Sequence, residues 1–133
     1  MDPLDPVRAY YGALDAGNYD RLTDLLAPEF VQHRPDRTFE GREAFVRFMR
    51  EDRPRTDTEH VVDALYRRVA GDGAAGDGPG GEGGPSPNGD PDADAAEVVA
   101  RGRVLADGAE LFGFADAFVV ADGRLRSLRT YTA

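Results

Sequence analysis

Asp116 sits in Phe112-Gly113-Phe114-Ala115-Asp116-Ala117-Phe118, a carboxyl group among aromatic residues at two-residue spacing. That spacing is the strand period, in which alternate side chains share a face. The run leads into Asp122-Gly123, a pair suited to a tight hairpin turn because both positions tolerate positive φ. With Ala121 opposite Arg124, the register runs outward: Val120 faces Leu125, Phe118 faces Ser127, Asp116 faces Arg129 and Phe114 faces Tyr131. Opposed residues point to the same side, so one face collects Phe112, Phe114, Phe118, Val120, Leu125 and Tyr131 around Asp116 and Arg129. A carboxyl group so placed has two uses. Desolvation raises its pKa and makes it a proton donor, whereas a facing guanidinium keeps it ionised as half of an ion pair. A bulge beside Gly123 would move Arg129 off Asp116. The opposite face of the hairpin, with Gly113, Ala115, Ala117, Val119, Leu128 and Thr130, is small and apolar enough to pack against a second subunit.

The elements that must hold this hairpin are legible upstream. A first helix is expected from about Asp5, with Pro6 in its first turn and Val7, Tyr10, Tyr11 and Leu14 forming one apolar stripe; Gly17 ends it. Asn18 caps a second helix carrying Tyr19, Leu22, Leu25 and Leu26, stopped by Pro28. A short strand follows over Phe30 to Gln32. A third helix runs from Gly41 to Asp52, with Phe45, Phe48 and Met49 on one side and Pro54 closing it. Strands are expected over Thr58 to Val69 and Glu97 to Leu105, before the terminal hairpin. Helices first and an antiparallel sheet after is an α+β layout.

Residues 71–96 break this pattern. Glycine, proline and aspartate dominate, with no aromatic or β-branched residue, so the segment lacks the apolar surface that would offset ordering. It reads as a disordered insertion in a strand–strand loop of one 133-residue domain. It also holds six acids and no base; without them the net charge of −9 falls to −3. All 16 basic residues are arginine, a lysine-free acidic composition that fits a GC-rich genome and a salt-adapted host. An acidic chain lacks the basic surface that phosphate binding requires, which argues against nucleic acid as a partner. No apolar run approaches a membrane span and the N-terminus lacks signal-peptide character, so a cytoplasmic protein without membrane contact is expected. There is no cysteine, and His33 and His60 lack metal-ligand spacing, so neither disulfide nor metal is expected. No phosphate-cradling glycine motif or acyl-transfer nucleophile is present, and no cofactor is expected.

Four segments in order resemble the nuclear transport factor 2-like superfamily, with its SnoaL-like polyketide cyclases and ketosteroid isomerases. They are Ala9-Tyr10-Tyr11-Gly12-Ala13-Leu14-Asp15-Ala16-Gly17-Asn18-Tyr19-Asp20; Leu25-Leu26-Ala27-Pro28-Glu29-Phe30 followed by His33 and Pro35; Glu40-Gly41-Arg42-Glu43-Ala44-Phe45; and Asp116-Ala117-Phe118 through Asp122-Gly123-Arg124-Leu125 to Tyr131. The resemblance implies a cone-shaped fold, a curved sheet wrapped on the N-terminal helices with an apolar cavity at one end, and frequent homodimerisation.

It also implies roles. Asp116 matches the acidic residue used as an oxyanion donor or general acid, and Tyr10 the helix-one tyrosine that supplies a second donor, although Tyr10 also sits on the core stripe. The ungapped match puts Arg34 where the isomerases carry their base; a one-residue shift puts His33 there, a competent base near neutral pH, or else a plain strand-end residue. The expected site is therefore Asp116, Tyr10 and His33, walled by Phe30, Phe45, Phe48, Met49, His60, Phe112, Phe114, Phe118, Arg129 and Tyr131. His60 is equally suited to an exposed strand start, and Arg101 and Arg103 to a plain surface or an anion contact. The expected function is binding of a small apolar or aromatic molecule, with isomerase- or cyclase-type proton transfer. The alternative is a non-catalytic dimeric ligand-binding or protein-interaction module.

Overall fold

The computed structural model describes residues 2–53, 57–68 and 95–133. Helix α1 (Leu4–Ala16) is capped by the Asp2 carboxylate, which accepts the Leu4 N–H, and it ends at Gly17 in the left-handed conformation. Asn18 then accepts the Arg21 N–H and opens α2 (Tyr19–Leu25). The chain passes directly into β1 (Leu26–His33), so Pro28 lies inside a strand rather than stopping the helix. Strand β2 (Thr38–Glu40) has no counterpart in the sequence reading. Gly41, at φ 100°, donates its N–H to Phe30 O and starts α3 (Arg42–Arg47), which widens into a π-helical turn over Phe48–Asp52. Pro54 lies outside the described residues. Strands β3 (Thr58–Arg67), β4 (Ala96–Ala106), β5 (Ala109–Ala121) and β6 (Arg124–Thr132) complete the chain. Of the insertion expected over 71–96, residues 71–94 lie outside the described residues, and Ala96 already pairs with Val120.

The six strands form one sheet in the order β2-β1-β6-β5-β4-β3. It is mixed rather than antiparallel, because β1 runs parallel to β6. Pairing direction between segments about a hundred residues apart leaves no local mark in the side-chain pattern. The three helices lie on one face of the sheet, and Val7, Leu22, Phe30, Phe45, Phe118 and Leu125 are fully buried between the layers. Both long hairpins turn on Asp-Gly with positive φ at both residues, Asp107-Gly108 and Asp122-Gly123. Only the second was expected, although the first carries the same pair. Gly102 on β4 is obligatory for packing: a Cβ there would collide with Val61 O and crowd the Phe114 ring.

The terminal hairpin departs from the simple register after two residue pairs. Ala121 faces Arg124 and Val120 faces Leu125, but Val119 faces Ser127, which leaves Arg126 as an extra residue. Beyond this bulge every pairing shifts: Asp116 faces Thr130, Ala117 faces Arg129 and Ala115 faces Tyr131. A one-residue shift reverses the face of each side chain. Leu128 is therefore buried, while Arg129 and Tyr131 are exposed, Tyr131 to 55 %. The expected Asp116–Arg129 juxtaposition does not form.

Candidate functional site

Two adjoining cavities open between α1, the π-helical turn and the β1, β4 and β5 strands. The larger, about 290 Å³, is lined by Leu14, Arg34, Phe48, Met49, Arg53, Thr58, His60, Val104, Leu111 and Phe112. The smaller, about 90 Å³, shares Leu14, Arg34, Met49, His60, Val104 and Phe112 and adds Tyr10, Gln32, Phe114, Asp116, Thr130 and Thr132. A bulge in β5 sets the mouth: Val104 pairs with Phe112 and Leu105 with Glu110, so Leu111 is the extra residue and stays 43 % exposed at the rim. The widened turn after α3 brings Phe48, Met49 and Arg53 to the opposite wall. A larger hollow of about 870 Å³ lies beside α3, but its wall is charged and holds none of the expected site residues.

Asp116 is 6 % exposed. Tyr11 donates its hydroxyl proton to Asp116 Oδ2 at 2.5 Å, while Oδ1 is buried with no hydrogen-bond partner. Burial raises the carboxyl pKa above the usual aspartate range; hydrogen bonding from Tyr11 and Thr130 and the nearby His60 and Arg34 oppose that rise. Burial and the neighbouring Asp116 push the Tyr11 phenol far above its ordinary pKa, so it is a committed donor. Gln32 repeats the pattern across the sheet: its Nε2 donates to Thr130 Oγ1 at 2.9 Å and its Oε1 is left without a partner. Buried polar atoms almost always find partners, so these two oxygens in residues lining one small cavity mark a place suited to a polar group of a ligand.

His60 faces Asp116 from β3 and lines both cavities. Asp15 holds it twice: the His60 backbone N–H donates to Oδ2 at 2.8 Å, and Nδ1 lies 2.7 Å from Oδ1. An ionised carboxylate only accepts, so Nδ1 carries a proton, and Nε2 is the nitrogen that Asp15 does not hold. The Tyr11 ring packs between the two groups, 5.4 Å from the His60 ring and 5.7 Å from Phe114, while its hydroxyl reaches Asp116.

The expected residues thus divide. Asp116, His60, Met49, Phe48, Phe112 and Phe114 line the cavities, as does Tyr10, but the hydrogen bond to Asp116 comes from Tyr11. Tyr10 packs edge-on against Phe118 and stacks on Phe45. Phe30, Phe45 and Phe118 are solid core and not cavity wall. Arg129 and Tyr131 are on the far side of the sheet. His33 also faces away: Phe30, Gln32 and Arg34 alternate toward the cavity side, whereas His33 lies in the odd register beside Thr38 and Arg129. Arg34 therefore holds the position that a one-residue shift would have given to His33. Arg103 pairs with Asp63 through two hydrogen bonds and Arg101 with Tyr66, both near the β3 edge. Among the described residues no three His, Asp or Glu stand together as a metal site, and no helix is long and apolar enough to cross a membrane. Sequence reasoning missed Tyr11, Asp15, Gln32 and Thr130. The first two carried a signal, since residues four apart share a helix face.

Solved structures share this architecture. A nuclear transport factor 2-like protein of unknown function from Cytophaga hutchinsonii aligns over 100 % of this chain and 91 % of its own, with TM-score 0.67 and 16 % identity. A ketosteroid isomerase candidate from Kribbella flavida aligns over 97 % and 76 %, with TM-score 0.65 and 15 % identity. A polyketide cyclase candidate from Sinorhizobium meliloti aligns over 96 % and 94 %, with TM-score 0.60 and 19 % identity. At such identities the likeness is one of fold, and it defines an α+β nuclear transport factor 2-like domain. No match was found among curated proteins. The SnoaL-like domain model matches residues 7–128, and the chain belongs to the SnoaL-like family.

Proposed function

We propose that this protein binds a small, largely apolar carbonyl compound between its helices and sheet and catalyses proton transfer on it, as an isomerase or a cyclase does. The observation that carries the reading is two paired groups, the buried Tyr11–Asp116 and the half-buried Asp15–His60, whose Asp116 and His60 both line one cavity. His60 Nε2 removes a proton from the carbon beside the carbonyl. The electron pair of that C–H bond forms a C=C bond, and the carbonyl π pair moves to oxygen. Asp116, whose carboxyl pKa burial raises, donates in its protonated form to that oxygen. Return of the proton from His60 to a different carbon completes an isomerisation; attack of the enol carbon on a second carbonyl of the substrate closes a ring, the second carbonyl's π pair moving to its oxygen, which takes the proton from His60, while the enol proton returns to Asp116. Tyr11 and Asp15 position the two reacting groups. The isomerase and cyclase candidates among the fold relatives support this class of chemistry.

The test is deuterium exchange at the carbon beside the carbonyl, followed by NMR in heavy water, for a panel of β,γ-unsaturated ketones and 1,3-dicarbonyl compounds. Exchange is expected to be accelerated by the protein and to fall about 10²- to 10⁴-fold in both Asp116→Asn and His60→Gln, the usual range for loss of a general acid or base. Binding without accelerated exchange would favour a non-catalytic ligand-binding module. A second subunit across the Gly113, Ala115, Ala117 and Val119 face is part of the same proposal, and light scattering in solution tests it.

A further inference from the structure

The larger cavity combines an apolar wall with unbalanced positive charge. Leu14, Phe48, Met49, Val104, Leu111 and Phe112 supply the wall; Arg34 and Arg53 supply two guanidinium groups, and among the described residues no carboxylate lines it. A guanidinium at an apolar wall is costly unless it is paired. Among the described residues Arg53 Nε is buried with no hydrogen-bond partner, and its Nη2 reaches the Tyr19 hydroxyl at a long 3.5 Å. Arg34 has an aromatic contact with Phe48 and a loose 3.9 Å approach to Asp36, whose side chain is 66 % exposed outside the cavity. The carboxylates that do approach the site are already engaged: Asp15 holds His60 through both oxygens, and Asp116 accepts from Tyr11. Among the described residues lining the cavity, no anionic group therefore answers the two arginines.

Resting on the proposed pocket function, we infer that the natural ligand is a small organic acid whose carboxylate is bound by Arg34 and Arg53 and whose ring or branched apolar body lies on Phe48, Met49 and Phe112. A planar guanidinium fork matches a carboxylate in two parallel hydrogen bonds. The cavity volumes of about 290 and 90 Å³ leave room for one or two rings beside the head group. The charged end then lies in the larger lobe, and a carbonyl further along the molecule reaches Asp116 in the smaller lobe. Arg34 lines both lobes and sets the distance between the two ends.

Calorimetric titration with unreactive arylalkanoates of one and two rings, each compared with its own primary amide, tests this. The amide keeps shape and apolar body and removes only the charge. The acids are expected to bind at least tenfold more tightly than their amides. Arg34→Gln is expected to abolish that preference while keeping amide binding, and Arg34→Lys to retain part of it. Arg53→Gln provides a second reading should Arg34→Gln fail to fold by circular dichroism. Equal or tighter binding of the amides overturns the inference and leaves the pocket proposal standing. A preference that survives both glutamine substitutions overturns the assignment to these arginines. Binding of neither series overturns the pocket reading and this inference together.

Discussion

Strand β5 passes through two interiors that differ within two residues. At Phe118 the space between sheet and helices is filled: the ring is fully buried, with Tyr10 and Tyr11 packed edge-on at 5.4 and 5.9 Å. At Asp116, one step along the same face, the packing gives way to a cavity and to polar atoms without partners. The apolar surface that stabilises the fold lies at one end of the strand, and the other end gives up close packing to keep a carboxyl group dry and approachable. A side chain at the filled end answers to volume, and one at the open end to charge and hydrogen bonding.

Substitutions at the two ends separate these demands. Phe118→Ala is expected to cost about 3–5 kcal/mol in urea denaturation, the range for removing a buried phenylalanine. Phe112→Ala, at the cavity mouth with 38 % of its surface exposed, is expected to cost about 1 kcal/mol or less and to weaken ligand binding instead. Equal losses would erase the distinction. Gly102→Ala drives a methyl group into Val61 O and the Phe114 ring where backbone cannot yield, and is expected to cost about 1–3 kcal/mol by the same measurement.

The smallest stability effect is expected at Asp116, and its pH dependence is the informative part. Burial holds the Asp116 pKa above the ordinary aspartate value, so the folded state binds the proton more tightly than the unfolded chain. Stability therefore falls as pH rises from that ordinary value through the folded one. Asp116→Asn, which keeps an acceptor for Tyr11, is expected to melt with wild type in acid below both values. Above them it is expected to melt a few degrees higher. Melting curves that stay parallel across pH would place the ionised carboxylate in an environment as good as water.

The helices were legible because their signals are local. The Val7, Tyr10, Tyr11 and Leu14 stripe, Gly17, Asn18 and Gly41 all perform the expected role. The second Asp-Gly turn was legible for the same reason, and Asp116 stood out as the one acid in an aromatic run. What lay beyond the sequence was register. Arg126 carries nothing in its own side chain that announces a bulge; its Nε lies 3.5 Å from Glu29, on a strand nearly a hundred residues earlier. That one residue moved Arg129 and Tyr131 outward and brought Thr130 to Asp116. The parallel pairing of β1 with β6 was hidden for the same reason, and with it the choice between His33 and Arg34. Tyr11 rather than Tyr10 as the donor is a matter of helix rotation by one position, finer than a shared apolar stripe resolves.

The Arg126 bulge has an evolutionary consequence. Because side chains alternate, gain or loss of a single residue in β6 exchanges the whole set presented to Asp116, from Thr130 with its hydroxyl to Arg129 with its guanidinium. A one-codon insertion or deletion there replaces the cavity-lining residues of β6 and sets a positive charge beside the carboxyl group, while every cavity-lining residue of β5 stays unchanged.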